Sequence, residues 1–219
     1  MSRDWDSEAT RTNLVRYGTR NPAKRLLLRA LERQVMAWVD RVAPGSVLDA
    51  GCGHGFMLAR LLGRRPALLT VGADLSAVAL AYAGRLAPRA QLVRADLCHL
   101  PLADGRFDLV LCMGVLPYLS DPRAGLRELA RVARGHVLLE VPWEPWFRLA
   151  NLATLNHLPN LGNPGFRYHW GRRSFVRMVA QEMEVLEVAG PFPWTLVLAR
   201  GRRPFPRTEA RPWAEGRAP

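Results

Sequence analysis

At 219 residues the chain is long enough for one α/β domain with a sizeable core and too short for two full ones. Its residues are 49% hydrophobic, yet the longest apolar stretch, Leu109 to Leu119, runs 11 residues and falls well short of a bilayer span. The net charge of +12 is almost all arginine, since Lys24 is the only lysine, and no aromatic-interleaved basic motif for RNA accompanies it; a nucleic-acid partner is open but not favoured.

The N-terminus, Met1-Ser2-Arg3-Asp4-Trp5-Asp6, is charged and lacks a hydrophobic signal segment, which points to the cytoplasm. The three cysteines, Cys52, Cys98 and Cys112, lack C-x-x-C spacing and are expected to be buried thiols, and no metal site is expected. Beyond the polar residues 1–12, Ala23 to Val42 carries Leu27, Leu28, Leu31, Val35, Trp38 and Val39 near the period of an amphipathic helix, which should cover one face of a sheet.

Alternating units follow. Strand Ser46 to Ala50 leads to helix Gly55 to Leu62, strand Leu68 to Ala73 to helix Ser76 to Leu86, and Gln91 to Arg94 is a third strand. Such alternation predicts a parallel, doubly wound sheet with helices on both faces. Phe107 to Cys112 is an apolar strand expected to be buried on both faces. Pro122 to Ala133 is a helix with Asp121 as its N-cap, and His136 to Val141 is a fifth strand.

The pattern then breaks into an aromatic and proline-rich excursion, starting Pro142-Trp143-Glu144-Pro145-Trp146-Phe147 and running to about Trp170. Substrate contacts are expected there. Arg173 to Met183 is a helix, and Val185 to Ala189 and Thr195 to Ala199 form a closing hairpin. The last residues, rich in proline and arginine, carry no predicted fold of their own.

The most informative segment is Val47-Leu48-Asp49-Ala50-Gly51-Cys52-Gly53-His54-Gly55. Its glycines sit at a strand-to-helix turn, where missing Cβ atoms let a ligand lie against the backbone and the helix start favours an anion. A dinucleotide fingerprint needs a third glycine where Phe56 stands, and Asp49 would repel a pyrophosphate. The same carboxylate can accept hydrogen bonds from an amino-acid ammonium. The spacing therefore fits S-adenosyl-L-methionine (SAM) better than a nicotinamide or flavin. Asp74, closing Val71-Gly72-Ala73-Asp74-Leu75-Ser76, can accept both hydrogen bonds of a ribose diol, and its alternative role is capping the helix near Ser76. Asp96 follows the third strand and Cys112-Met113-Gly114 the fourth, so four positions converge at the carboxyl ends of the strands.

Taken in order, these motifs make the chain resemble the class I SAM-dependent methyltransferases, in particular the broad small-molecule group called type 11, over roughly residues 13–200. The resemblance implies a Rossmann-like, mostly parallel seven-stranded sheet with a C-terminal antiparallel hairpin. It also implies SAM as cofactor, S-adenosyl-L-homocysteine as product, and a cofactor site at Asp49, Gly51, Cys52, Gly53, Gly55, Asp74, Leu75, Asp96, Leu97 and Met113, with Tyr17 closing over the cofactor carboxylate. Asp96 with Leu97 would contact the adenine. The domains implied are an arm over 1–22, a methyltransferase domain over 23–200 with a substrate lid at 142–170, and a basic tail over 201–219.

Departures from the family narrow the chemistry. No Asn/Asp-Pro-Pro-Tyr/Phe follows the fourth strand, which argues against methylation of base or amide nitrogens. Many relatives carry histidine just after that strand, where this chain has Pro117-Tyr118. A catalytic base is therefore expected from His169, His157 or Tyr118, and His169-Trp170 resembles a pre-helix segment of type 11 enzymes. His54 is expected to be structural. The expected activity is methyl transfer to a small, partly apolar molecule through oxygen or carbon. Two alternatives stand beside it: an RNA methyltransferase using the arginines, and a SAM-binding protein without transferase activity.

Overall fold

The computed structural model describes residues 19, 21–153 and 165–201. Tyr17, His157, most of the N-terminal arm and nearly all of the basic tail lie outside them. The elements in chain order are α1 (Pro22–Val42), β1 (Ser46–Ala50), α2 (Phe56–Arg64), β2 (Leu69–Asp74), α3 (Ala77–Leu86), β3 (Gln91–Arg94) and β4 (Phe107–Met113). A short 3-10 turn, η1 (Leu116–Tyr118), precedes α4 (Pro122–Val132) and β5 (Ala133–Pro142). Then come α5 (Trp146–Ala153), α6 (Arg172–Glu182), β6 (Met183–Ala189) and β7 (Trp194–Gly201).

The strands form one sheet of seven in the order β3-β2-β1-β4-β5-β7-β6. Pairs from β3 through β5 are parallel, while β7 runs antiparallel between β5 and β6. The strand order reverses beside β1, between β2 and β4, which is where an open α/β sheet leaves a ligand crevice at its carboxyl edge.

Side-chain alternation along β4 explains the two-sided burial expected of it. Val110 and Cys112 join a core with Leu126 and Leu129 of α4 and Phe175 and Val179 of α6. Leu109 and Leu111 join the opposite core, with Val35, Trp38 and Val39 of α1 and Leu61 of α2. Each set is shielded from water by helices, so apolar residues on both faces are stabilised.

Local chemistry sets the element ends. Asn21 accepts the Lys24 amide at 3.1 Å to start α1, and Ser76 accepts the Ala79 amide at 3.0 Å to start α3. Asp121 accepts the amides of Arg123 and Ala124 at 2.9 and 3.0 Å, as its N-cap role requires. At the opposite, amino edge of the sheet, Asp108 accepts the Gly45 and Ser46 amides at 3.1 and 3.0 Å and pairs with Arg134. Burial would raise its carboxyl, but the bonds from Arg134, Ser46 and Gly45 outweigh this and hold it below the usual range. Asp108 therefore ties β1, β4 and β5 together away from the crevice.

Candidate cofactor and acceptor site

The turn after β1 is built by close approach. The Gly51 and Cys52 amides both donate to the Ala73 carbonyl, at 2.7 and 3.0 Å, which folds the chain back over β2. Gly51 has φ +81°, and a Cβ there would lie 2.2 Å from Cγ2 of Val115, so the turn is seated directly on the loop after β4. Gly55 has φ +77°, and its Cβ would meet the Ala83 backbone at 2.9 Å. It thus takes over the helix-packing role that the third glycine of a dinucleotide site plays, in a different position.

Two carboxylates face this turn from below. Asp49 is 2% exposed, and burial first, then the charge of Asp74, pushes its carboxyl up to about 7. Asp74 accepts the Gly53 amide on Oδ2 at 2.8 Å and the Ser76 amide on Oδ1 at 2.9 Å. Burial raises it too, against bonds from the Ser76, Gly53 and Leu75 amides and the charge of His54. With about four acceptor positions on its two oxygens, the carboxylate retains lone-pair capacity beside these bonds. Among the described residues neither acid forms a salt bridge with a side-chain cation. A buried, cation-hungry acid beside a second acid with free lone pairs fits an ammonium and a ribose diol, so the residues present suit SAM.

The remaining expected contacts divide. Asp96 is exposed and accepts the Cys98 amide at 2.9 Å. Leu75 is 36% exposed at the crevice edge, whereas Leu97 is buried against α4, where a Cβ on Gly125 would meet its Cδ2 at 2.8 Å. Leu97 can offer a ligand its backbone but not its side chain. Cys52 also turns inward, its Sγ 2.9 Å from where a Gly72 Cβ would be. Met113 packs in the α1-side core, whose partly buried members also include Leu27, Leu28 and Phe147.

The thiols correct one expectation. Cys52 and Cys112 are buried, but Cys98 is only partly so, because it sits on the surface loop after β3. Burial and the charges of Asp96 and Asp121 still push Cys98 up to about 11, and burial pushes the other two higher, so none is a ready nucleophile. His54 is buried and set edge-on to Tyr82 with ring centroids 4.7 Å apart, and burial lowers its affinity for a proton against the pull of Asp74. Among the described residues no group of three or more metal-ligating side chains could hold a metal ion.

The aromatic excursion closes the carboxyl edge of β4 and β5. It contains a helix, α5, that the sequence reading did not assign. The segment before α6 crosses over η1: the Arg167 and Tyr168 amides donate to the Pro117 carbonyl at 2.7 and 3.3 Å, and the Tyr168 hydroxyl donates to the Ser120 carbonyl at 3.0 Å. Tyr118 meets Phe166 at 4.9 Å, and Phe166 lies 6.1 Å from the His169 ring and 6.4 Å from Phe147. Arg172 stacks over Trp143 at 4.2 Å. Contacts thus run from Gly51 through Val115 and η1 to His169, placing His169 and Tyr118 on the same edge as the glycine turn.

Glu144 was missed by sequence reasoning. Its side chain is 10% exposed, and its Oε1 lies 3.5 Å from Nδ1 of His169 and 3.5 Å from Nε of Arg148. Arg148 also places a guanidinium nitrogen 3.1 Å from His169 Nε2. The available signal was one acid inside the apolar run Trp143-Glu144-Pro145-Trp146.

A parallel sheet with an inserted antiparallel last strand, a glycine turn after β1 and acids ending β1 and β2 define the class I SAM-dependent methyltransferase architecture. Residues 48–139 match the family model described as a methyltransferase domain, type 11, which supports a class I SAM-dependent methyltransferase of that group. It is 35% identical over 108 residues to a probable S-adenosylmethionine-dependent methyltransferase of Mycobacterium tuberculosis, an alignment spanning 47% of this chain and 38% of the relative. It is 38% identical over 135 residues to the malonyl-acyl-carrier-protein O-methyltransferase of Halorhodospira halophila, spanning 60% and 43%. The chain therefore covers less than half the length of these curated relatives. Among solved structures, magnesium protoporphyrin IX methyltransferase from Synechocystis with bound SAH superposes with a TM-score of 0.65 at 20% identity, covering 89% of this chain and 95% of that one. At that identity the likeness speaks to the fold.

Proposed function

We propose that the protein transfers a methyl group from SAM to a small, partly apolar acceptor through oxygen or carbon. The observation that carries this reading is the joining of two half-sites on one edge of the sheet. Asp49, Asp74 and the glycine turn supply a cradle suited to SAM, and Tyr118, Phe147, Phe166 and His169 supply an aromatic enclosure beside it. When bound, SAM supplies an electrophilic methyl carbon and departs as a neutral thioether. The chain's own work is then to orient the acceptor, exclude water and, for a hydroxyl acceptor, receive its proton.

Asp49 would hold the ammonium and Asp74 the ribose diol, with Asp96 and the Leu97 backbone bordering the adenine. Tyr17 and His157 lie outside the described residues and enter the proposal on sequence alone. Support for an oxygen acceptor comes from the relative at 38% identity, whose printed activity is O-methylation.

The RNA reading rests on charge alone. Among the described residues nine arginines are occupied in ion pairs: Arg41, Arg60, Arg64, Arg65, Arg123, Arg127, Arg131, Arg134 and Arg148. Each of these pairs also uses an acid, so the net +12 remains, and it is the lack of an aromatic-interleaved basic motif that keeps the RNA reading second. The test is transfer of labelled methyl from SAM into a cell extract separated into lipids, polar metabolites, RNA and protein. Label in the lipid or metabolite fraction is expected. Label in RNA would favour the RNA alternative, and tight SAM binding with no label in any fraction would favour the binding-protein one.

A further inference from the structure

The cluster of Glu144, Arg148 and His169 joins three elements: the exit of β5, the helix α5 and the segment leading into α6. It is held together from the backbone outward. The Glu144 amide donates to the Trp170 carbonyl at 3.1 Å, which pins the exit of β5 beside the residue after His169. The Glu144 carboxylate is nevertheless poorly used: among the described residues neither of its oxygens has a hydrogen-bonding partner in good geometry. An acid buried that far, with its lone pairs left over, costs stability unless it serves its neighbours.

The protonation pattern of the imidazole follows from the chemistry of arginine. A guanidinium only donates, so the contact between Arg148 and His169 Nε2 at 3.1 Å requires Nε2 to be the accepting, unprotonated nitrogen. The ring proton of a neutral His169 then sits on Nδ1, which faces Glu144 Oε1 at 3.5 Å. A proton-accepting lone pair is thereby held on one side of the ring, with a carboxylate on the other. Among the described residues, the charged groups set against this ring are Glu144 and Arg148.

We propose that Glu144 is the positioning residue of a Glu144–His169 pair that deprotonates the acceptor, and that Arg148 caps His169 Nε2 until the acceptor takes its place. This rests on the methyltransferase reading with a hydroxyl acceptor. The Arg148 side chain is 45% exposed and already has a second anionic contact in Glu144, so it can leave Nε2 without losing all its partners. In the step itself the acceptor O–H bond breaks, its proton passes to His169 Nε2, and an oxygen electron pair forms the new O–CH3 bond. The electron pair of the old S–CH3 bond stays on sulfur, and the imidazolium, steadied by Glu144, later returns its proton to solvent. Glu144 touches neither acceptor nor cofactor in this scheme and works only through His169.

The experiment reads the tautomer directly in the cofactor-free protein. Long-range nitrogen–proton correlation spectra of protein labelled at histidine, with His169→Asn to assign the signal, are expected to show His169 as the Nδ1–H form at mildly alkaline pH. Glu144→Met should shift the population towards Nε2–H, and Glu144→Asp should restore part of the Nδ1–H form. Wild-type His169 found as Nε2–H, or a Glu144→Met spectrum identical to wild type, overturns the proposal. The wild-type spectrum decides the tautomer even where the Glu144 variant fails to fold. In the extract assay, Glu144→Met and His169→Asn should each slow transfer at least about tenfold, with SAH affinity measured by calorimetry unchanged. Loss of SAH binding in the wild-type protein would instead sink the methyltransferase reading, and the tautomer result would stand apart from it.

Discussion

Asp74 Oδ2 accepts the Gly53 amide at 2.8 Å, so the acid ending β2 ties down the glycine turn that ends β1. One carboxylate thus shapes the floor of the crevice and stays available to a ligand above it.

This double duty makes Asp74 the most sensitive of the proposed cofactor contacts. Asp74→Ala is expected to weaken SAH binding at least tenfold, or about 1.4 kcal/mol. It should also lower apo stability by about 1–3 kcal/mol, since the amides of Gly53 and Ser76 lose their acceptor. Calorimetry and thermal melting measure the two effects separately. Unchanged affinity in a folded variant would remove Asp74 from the site.

Asp49 gives a pH dependence with a definite sign. Its folded-state carboxyl lies near 7, above the value of an unfolded aspartate, so its contribution to stability is fully present at acid pH and is lost as pH rises through about 7. Asp49→Asn should therefore stabilise the cofactor-free protein above that pH, by on the order of a few kcal/mol, with the difference shrinking towards pH ~4. Binding has the opposite slope. If the ionised acid holds the SAM ammonium, SAH affinity in the wild type should fall as pH drops below about 7, and in Asp49→Asn it should be weaker and nearly flat. Parallel titrations by calorimetry would expose an equal slope in both proteins.

Arg131 should matter for stability alone. Its guanidinium donates to the Leu100 and Leu102 carbonyls at 2.9 and 2.7 Å and pairs with Glu128 and Asp104, fastening the loop before β4 to the end of α4. Arg131→Met is expected to cost about 1–3 kcal/mol in denaturant unfolding while leaving SAH affinity unchanged. A drop in affinity of the kind expected for Asp74→Ala would place this loop in the cofactor site.

RNA binding should be weak and should not decide activity. Filter binding across a salt series is expected to show low affinity, since no aromatic-interleaved basic motif accompanies the arginines. Tight binding with a steep salt dependence would reopen the RNA reading.

The fold was legible because its signals are local. The alternation of apolar strands and amphipathic helices gave the parallel units, and the structure moves most boundaries by only a residue or two, as with α6, which starts at Arg172. The helix cap at Asp121 was equally plain, since capping is settled within four residues. Asp74 itself turned out to bond the Ser76 amide while Ser76 caps α3, a division of labour that spacing alone does not resolve.

Harder to see was whatever depends on residues far apart. Glu144 meets His169 only because the exit of β5 is pinned to Trp170, a contact with no short-range pattern. Helix α5 hides among aromatics and prolines that read as an irregular lid. Leu97 sits in a motif that resembles an adenine contact, yet its side chain serves the core beside Gly125. The exposure of Cys98 likewise depends on which way a surface loop turns, and not on the hydrophobicity of its neighbours.

The most direct test of the central claim is a crystal structure of the protein with SAH. The account expects the ribose hydroxyls on Asp74, the ammonium on Asp49, and the sulfur turned towards the enclosure of Tyr118, Phe166 and His169. SAH bound away from these acids, or with its sulfur facing out of that enclosure, would contradict it.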